Sequence, residues 1–389
     1  MTLPLGYRYA AAWAGIRKVE KDDLALIVSD TPAAAAAVFT QNRVQAAPVR
    51  LSRQHLRESG GRARALLVNA GNANCATRTG DRVALQCCRA AARQLNAPVS
   101  QILPASTGVI GVEMDAGKIV AALPHLVAAL SDSAFDQVAS AIMTTDTVSK
   151  TVHAAIRTRQ GLVRLAGMAK GAGMIHPLMA TTLAFVVTDA LVSPAALRPL
   201  LKRAAENTFN RLSVDGDTST NDTLVLLANG ASGVHVAAAD LEKTLEAALG
   251  DLARQIARDG EGASKLITID VAGASSDQAA ARLARAIANS PLVKTAIAGA
   301  DPNWGRLICA AGNSGVAFDP ANVDIEMQGV RVCRGGLAAD FSEEELTGKL
   351  RQPECSIRFT IRGKDRGKAR FWTCDLTEGY IRINASYRT

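Results

Sequence analysis

Aromatic residues make up only 4% of this 389-residue chain, and no Lys/Arg run accompanies its formal net charge of +8. A nucleic-acid surface needs clustered cations and rings for bases to stack on, so the expectation is a dispersed, solvated basic surface and no nucleic-acid partner. No segment approaches eighteen uninterrupted apolar residues, and the Ala-rich run 33–38 is too short to cross a membrane. The opening MTLPLGYRYA lacks the charged-then-apolar layout of a secretory signal, which points to the cytoplasm. No C-x-x-C occurs among the seven cysteines at 75, 87, 88, 309, 333, 355 and 374, so they read as reduced thiols rather than as disulfides or zinc ligands. The composition, 48% hydrophobic and 21% charged, suits a globular chain, and the length calls for two structural units.

The most informative stretch is KGAGMIHPLMATTLAFVVTDA at 170–190. From Thr182 to Val187 it is apolar on both alternating faces apart from Thr182, the pattern of a strand covered on both sides. Gly171, Gly173 and Pro177 cannot continue a regular ladder and form a loop feeding that strand. Thr181 therefore stands at the mouth of a buried strand. A Thr hydroxyl is a weak nucleophile without an adjacent base, but cutting the 180–181 bond would create one, because the new α-amine titrates near ~7.7–8.0. The plainer alternative is that Thr181 and Thr182 are ordinary strand residues after a loop.

Elsewhere, residues 1–80 read mainly as strands, with DLALIV at 23–28 and ALLVNAG at 65–71, followed by a helix over 81–96. Helical patterns cover 115–130 and 133–143. The second ends in IMTTDT, where Thr144, Thr145 and Asp146 are suited to capping. A hairpin turning at 159–161 delivers Lys170 to the loop before Thr181. Ser193-Pro194 opens a helix to about Asn207, and Leu241, Leu245, Leu249, Leu252 and Ile256 mark a long helix over 239–258. Glu261 follows in a Gly-flanked loop, placed either to pair with Lys265 or to face a ligand. AGASSDQ at 272–278 is a plausible junction to a C-terminal unit containing a helix, the turn-rich GADPNWGRL and the strands VDIEM, VRVC, CSIRFTI and ARFWTCDL. PASTG at 104–108 could aim backbone N–H groups and a hydroxyl at one point, as an oxyanion requires. In SVDGDTSTND the spacing of Asp215, Asp217, Ser219 and Asn221 is similar to a calcium loop. Thr220 in place of Gly and Leu226 in place of Glu exclude it. The same run superficially resembles the DxDx[TV] loop of haloacid-dehalogenase-like phosphatases, but Ser219 and the short preceding LSV fit that poorly.

The 170–190 stretch resembles the self-cleavage segment of the ornithine acetyltransferase (glutamate N-acetyltransferase) family, which breaks an Ala-Thr bond within K-G-[SA]-G-M-I-x-P-x-M-A-T. The resemblance extends through VFTQNRVQAAPV at 38–49, VNAGNANCATRTG at 68–80, PASTGVIG at 104–111, IMTTDTVSK at 142–150, NRLSVDGDTSTND at 210–222, DGEGASK at 259–265, GADPNWGRL at 299–307 and YIRINASYRT at 380–389. It implies an α/β (α+β) fold, a layered sandwich of sheets flanked by helices with an N-terminal-nucleophile site, plus a smaller C-terminal α/β domain. It further implies cleavage between Ala180 and Thr181 into chains 1–180 and 181–389, with a structural boundary near 272–280. Thr181 is then the nucleophile, Thr107 and Gly108 match the oxyanion pair, and SVDGDTSTNDT is a polar loop bracing the site. Thr144, Lys170, Thr181, Glu261, Asn384 and Thr389 match substrate-binding positions, and Thr144 is preferred to Thr145.

The activity so implied is ping-pong transfer of acetyl from N2-acetylornithine to glutamate in arginine biosynthesis, with no metal or organic cofactor and a dimer of cleaved heterodimers as the assembly. Whether acetyl-CoA is a second donor is left open. The alternative is an N-terminal-Thr amidase or aminopeptidase that gives the acyl group to water. Leu178, Thr182 and His176 depart from the family pattern beside the nucleophile, though none replaces a named catalytic group.

Overall fold

The computed structural model describes residues 3–176 and 182–386. Its first half runs β1 (Tyr7–Ala12), β2 (Leu24–Phe39), α1 (Ala47–Glu58), β3 (Arg62–Asn69), α2 (Gly80–Gln94), β4 (Ile102–Ser106), α3 (Ala116–Ala128), α4 (Phe135–Ala141), β5 (Lys150–Thr158) and β6 (Gly161–Lys170). Then follow β7 (Leu183–Thr188), α5 (Pro194–Asn207), β8 (Thr223–Ala228) and α6 (Ala238–Arg258). The sheet order is β4-β3-β2-β8-β7-β6-β5, with β1 on β2. A register shift between Val28 and Ala33 divides β2, so that its first half pairs with β3 and its second with β8. The two leaves face each other. Ile27, Leu66, Val68 and Leu103 of the first share one core with Met168, Phe185, Val187 and Val225 of the second.

Helices cover the outer faces. Leu26, Leu67 and Ile102 pack under α2 and α3, while Ala184, Val186, Leu224 and Leu226 pack under α5 and α6. β7 is thus apolar on both faces because both are covered, as its sequence requires. The α6 stripe anticipated at Leu241 through Ile256 is buried throughout.

The remaining chain is β9 (Leu266–Ala274), α7 (Asp277–Ala288), α8 (Pro291–Ala298), α9 (Trp304–Gly312), β10 (Val323–Met327), β11 (Val330–Arg334), β12 (Leu337–Ala338), α10 (Glu343–Leu350), β13 (Glu354–Ile361), β14 (Gly367–Cys374) and α11 (Glu378–Ser386). A second sheet, β12-β11-β10-β13-β9-β14, carries its own core with Leu283 and Ile287 of α7 and Leu346 of α10. The layered α/β arrangement is therefore observed.

Several local expectations needed correction. Residues 1–80 are mainly strands, as expected, but α1 also lies among them. Its N-cap is Ala46 with no side-chain acceptor, so the usual Ser/Thr/Asp/Asn start signal is missing and only Pro48 near its start betrays it. GADPNWGRL is not simply a turn. Asn303 accepts the Arg306 amide at 3.2 Å and starts α9 within it. The second sheet is entered at Leu266, ahead of 272–278, since apolar alternation does not reveal which sheet a strand will join. Leu252 is fully buried in the core that α6 shares with α5, β6 and β7. Leu252→Ala should cost about 2–5 kcal/mol, read as a lower denaturant midpoint at constant slope.

Candidate functional site

Five strands meet at one end of the first sheet, where β3, β4 and β6 end and β7 and β8 begin. The loop after β3 is shaped by asparagines. Asn69 Oδ1 accepts the amides of Gly71 and Asn72, Asn72 Oδ1 accepts the Asn74 amide at 2.7 Å, and Asn74 and Ala76 adopt left-handed backbone. Against this loop lies Gly108, with φ of +128°, where a Cβ would sit 2.5 Å from the Gly71 carbonyl carbon. Only glycine fits there. Asn221 ties the walls together by donating Nδ2 to the carbonyls of Ala73 (2.7 Å) and Ser106 (2.8 Å).

The resulting cavity of about 130 Å³ is lined by Thr107, Gly108, Thr144, Lys170, Glu261 and Asn384, together with Thr145, Met174, Asp215, Asn221 and Tyr380 among others. Thr107, Gly108, Thr144, Lys170, Glu261 and Asn384 were all singled out from sequence, so the structure brings these together. Ala180, Thr181 and Thr389 lie outside the described residues.

The Thr107 amide donates to the Asn69 carbonyl at 2.9 Å, and its Oγ accepts Lys170 Nζ at 3.2 Å. Its amide is therefore committed, while its hydroxyl proton can still be donated to an oxygen in the cavity. Burial, then the neighbouring Lys150, pulls Lys170 below its ordinary pKa, against the opposing carboxylates of Asp146, Asp222 and Glu261. Asp146 organises this floor. Oδ1 accepts Lys150 Nζ (2.7 Å) and the Gly171 amide (2.6 Å), and Oδ2 accepts the Thr144 amide (3.0 Å). Lys150, wholly buried, also meets Asp259 at 2.5 Å. Burial alone would raise the Asp146 pKa, but Lys170, Lys150 and these hydrogen bonds outweigh it and hold it at about 2.

Glu261 is positioned by its own amide on the Ala172 carbonyl (2.8 Å). Lys265 does not pair with it: Lys265 Nζ donates instead to the Ile297 carbonyl at 2.6 Å. Glu261 Oε2 accepts Asn384 Nδ2 at 2.9 Å, which anchors α11 on the cavity. Chain ends commonly fray, but here two glycines permit the contact. A Cβ on Gly173 would collide with the Glu261 carboxylate, and one on Gly262 with the Tyr380 backbone.

Asp146 and Tyr380 were not anticipated as site residues. Asp146 was hidden by its helix-end context. Asp215 accepts the amides of Met174 (2.7 Å) and Ile175 (2.9 Å) and meets the Tyr380 hydroxyl at 3.3 Å. Both its oxygens thus hold the loop before residue 177, the bracing expected of the run that carries it. Among the described residues no three His, Cys, Asp or Glu side chains are placed to hold a metal, and no helix is long and apolar enough to cross a membrane.

The ArgJ family model matches residues 8–389. The arginine biosynthesis bifunctional protein ArgJ of Thermus thermophilus is 47% identical, covering 100% of this chain and 99% of its own. That of Geobacter sulfurreducens is 46% identical, covering 99% of each. The crystal structure of arginine biosynthesis bifunctional protein ArgJ from Bacillus halodurans matches with TM-score 0.51 and 44% identity, over 52% of this chain and 98% of that one.

Because the Asp146 pKa lies below the ~3.8–3.9 of an unfolded chain, its stabilising contribution is fully present above about pH 4 and is lost as pH falls towards 2. Urea melts should show about 2 kcal/mol more acid loss over that window in the parent than in Asp146→Asn. Lys150→Met, which removes the cation paired with both Asp146 and Asp259 and leaves Asp146 only Lys170, should cost about 3–5 kcal/mol at neutral pH.

Proposed function

Because this chain belongs to the ArgJ family, we infer that it transfers acetyl groups in arginine biosynthesis as a glutamate N-acetyltransferase, and that it does so through Thr181 after cutting its own backbone. The observation that carries the residue-level reading is the single cavity joining Thr107, Gly108, Thr144, Lys170, Glu261 and Asn384 beside the loop that leads to residue 181.

Maturation begins when Thr181 Oγ attacks the Ala180 carbonyl carbon. The resulting N→O shift exchanges the amide for an ester and frees the Thr181 amine. Water then cleaves the ester, leaving a carboxylate on Ala180 and the hydroxyl and amine on Thr181. In turnover that amine takes the hydroxyl proton as Oγ attacks the acetyl carbonyl of N2-acetylornithine. The Thr107 hydroxyl and the Gly108 N–H stabilise the tetrahedral oxygen. Collapse returns the proton to the ornithine nitrogen, which leaves, and the glutamate amine then takes acetyl from Thr181 by the reverse sequence.

Glu261, held by Asn384, suits the ornithine side-chain ammonium, and Lys170 suits a carboxylate. A cavity presenting both signs of charge favours an amino-acid acceptor over water. Thr144, Asn384 and Thr389 complete the binding set. Acetyl-CoA as a second donor and a pair of cleaved heterodimers as the assembly belong to the same reading.

The sheet order explains how the pieces 1–180 and 181–389 stay together. β7 and β8 of the second piece lie between β2 and β6 of the first, hydrogen-bonded on both sides. That a solved relative is almost wholly matched by about half of this chain also fits a divided polypeptide.

Intact mass spectrometry should find fragments 1–180 and 181–389 in the parent, co-purifying until denatured, and one uncut chain for Thr181→Ala. A well-folded parent that remains whole would refute maturation. In the cleaved enzyme, Thr107→Ala should lower kcat by about 10²–10³, whereas Glu261→Gln should chiefly raise KM for N2-acetylornithine.

A further inference from the structure

Asp222 is almost completely buried immediately before β8, yet the mechanism above does not use it. Its Oδ1 accepts the Thr182 amide at 3.0 Å, and the Thr223 amide donates to the Thr182 carbonyl at 3.0 Å, so Thr182 is held on both its polar backbone groups. Its other oxygen, Oδ2, is buried without a hydrogen-bond partner among the described residues. The nearby Thr40 hydroxyl is committed to the Ser219 carbonyl at 2.6 Å. A buried carboxyl oxygen left unpaired costs stability, so its retention calls for a reason.

Connectivity supplies one. The nitrogen held by Oδ1 is bonded to the Thr181 carbonyl carbon, and standard bond lengths keep any residue's own nitrogen within about 3.7 Å of the next one. We propose that Asp222 is a positioning residue for the Thr181 nucleophile. It fixes the Thr182 N–H through Oδ1, and the Thr182 nitrogen is bonded directly to the Thr181 carbonyl carbon. This rests on the reading of Thr181 given above.

Burial raises the carboxyl's pKa well above the ordinary range, against the pull of the Thr182 amide and of Lys170.

The test compares full-length parent, Asp222→Asn and Asp222→Ala. It follows self-cleavage by intact mass over time, and kcat and KM of the cleaved fraction against pH. Asn keeps the acceptor. It should cleave and transfer within about threefold of the parent. Ala should slow cleavage and kcat by about tenfold or more with KM little changed, the size expected for one lost buried hydrogen bond.

An Ala variant matching a cleaved, active parent overturns the assignment of Asp222 alone. So does an Asn variant as impaired as Ala, because an oxygen that accepts the same N–H would then not be what matters. Should Ala fail to fold, the Asn result decides by the same criteria. A parent that transfers acetyl while uncut overturns the Thr181 reading, and this inference with it.

Discussion

The constraint on which the site depends is the burial of a lysine. Lys170, at the end of β6, is out of contact with water, and a desolvated ammonium persists only where carboxylates surround it. Asp146 supplies the nearest compensation, and its remaining capacity fixes Thr144, Gly171 and Lys150. Lys150 in turn draws in Asp259 at the end of α6. One charge requirement thereby locks the end of α4, the start of the loop before the nucleophile and the end of α6 into one geometry. A site built this way is preorganised before substrate enters, which is where electrostatic catalysis gains its advantage.

The same end of the sheet frames the position proposed for the self-made nucleophile. β7 is hydrogen-bonded to β6 and β8 and packed on both faces, and Thr182 just before it is held by Asp222. On the other side of the proposed cut, Asp215 holds the amides of Met174 and Ile175, with Met174 in left-handed backbone. Both flanks of the 177–181 segment are therefore held by carboxylates. The C-terminal helix closes the arrangement from the opposite end of the chain through Tyr380 and Asn384.

Much of this was legible in the sequence, for physical reasons that differ by element. β7 and α6 declared themselves because burial on two faces and on one stripe leaves unmistakable spacing. Ser193 did so because a hydroxyl before Pro194 is a strong helix start, and it does accept the Ala196 amide. α1 stayed hidden because Ala46 gives no capping signal, and the Leu266 strand was found but its sheet was not. Site residues were legible where the resemblance supplied their roles. Asp146 was not, and for Asp215 and Asp222 only the bracing role of their run was legible, because each acts on backbone amides far along the chain, 25, 40 or 41 residues away, and no local pattern records such partners.

The central claim is that the acceptor of the acetyl group is a hydroxyl whose own amine was released from the backbone. Its most direct measurement is peptide mass mapping of enzyme mixed with N2-acetylornithine, without glutamate, and quenched in acid. One acetyl group on the peptide that begins at Thr181, lost when glutamate is added, is the predicted result. Acetyl transfer by a preparation in which no chain begins at Thr181, or in which that peptide never carries acetyl, would contradict it.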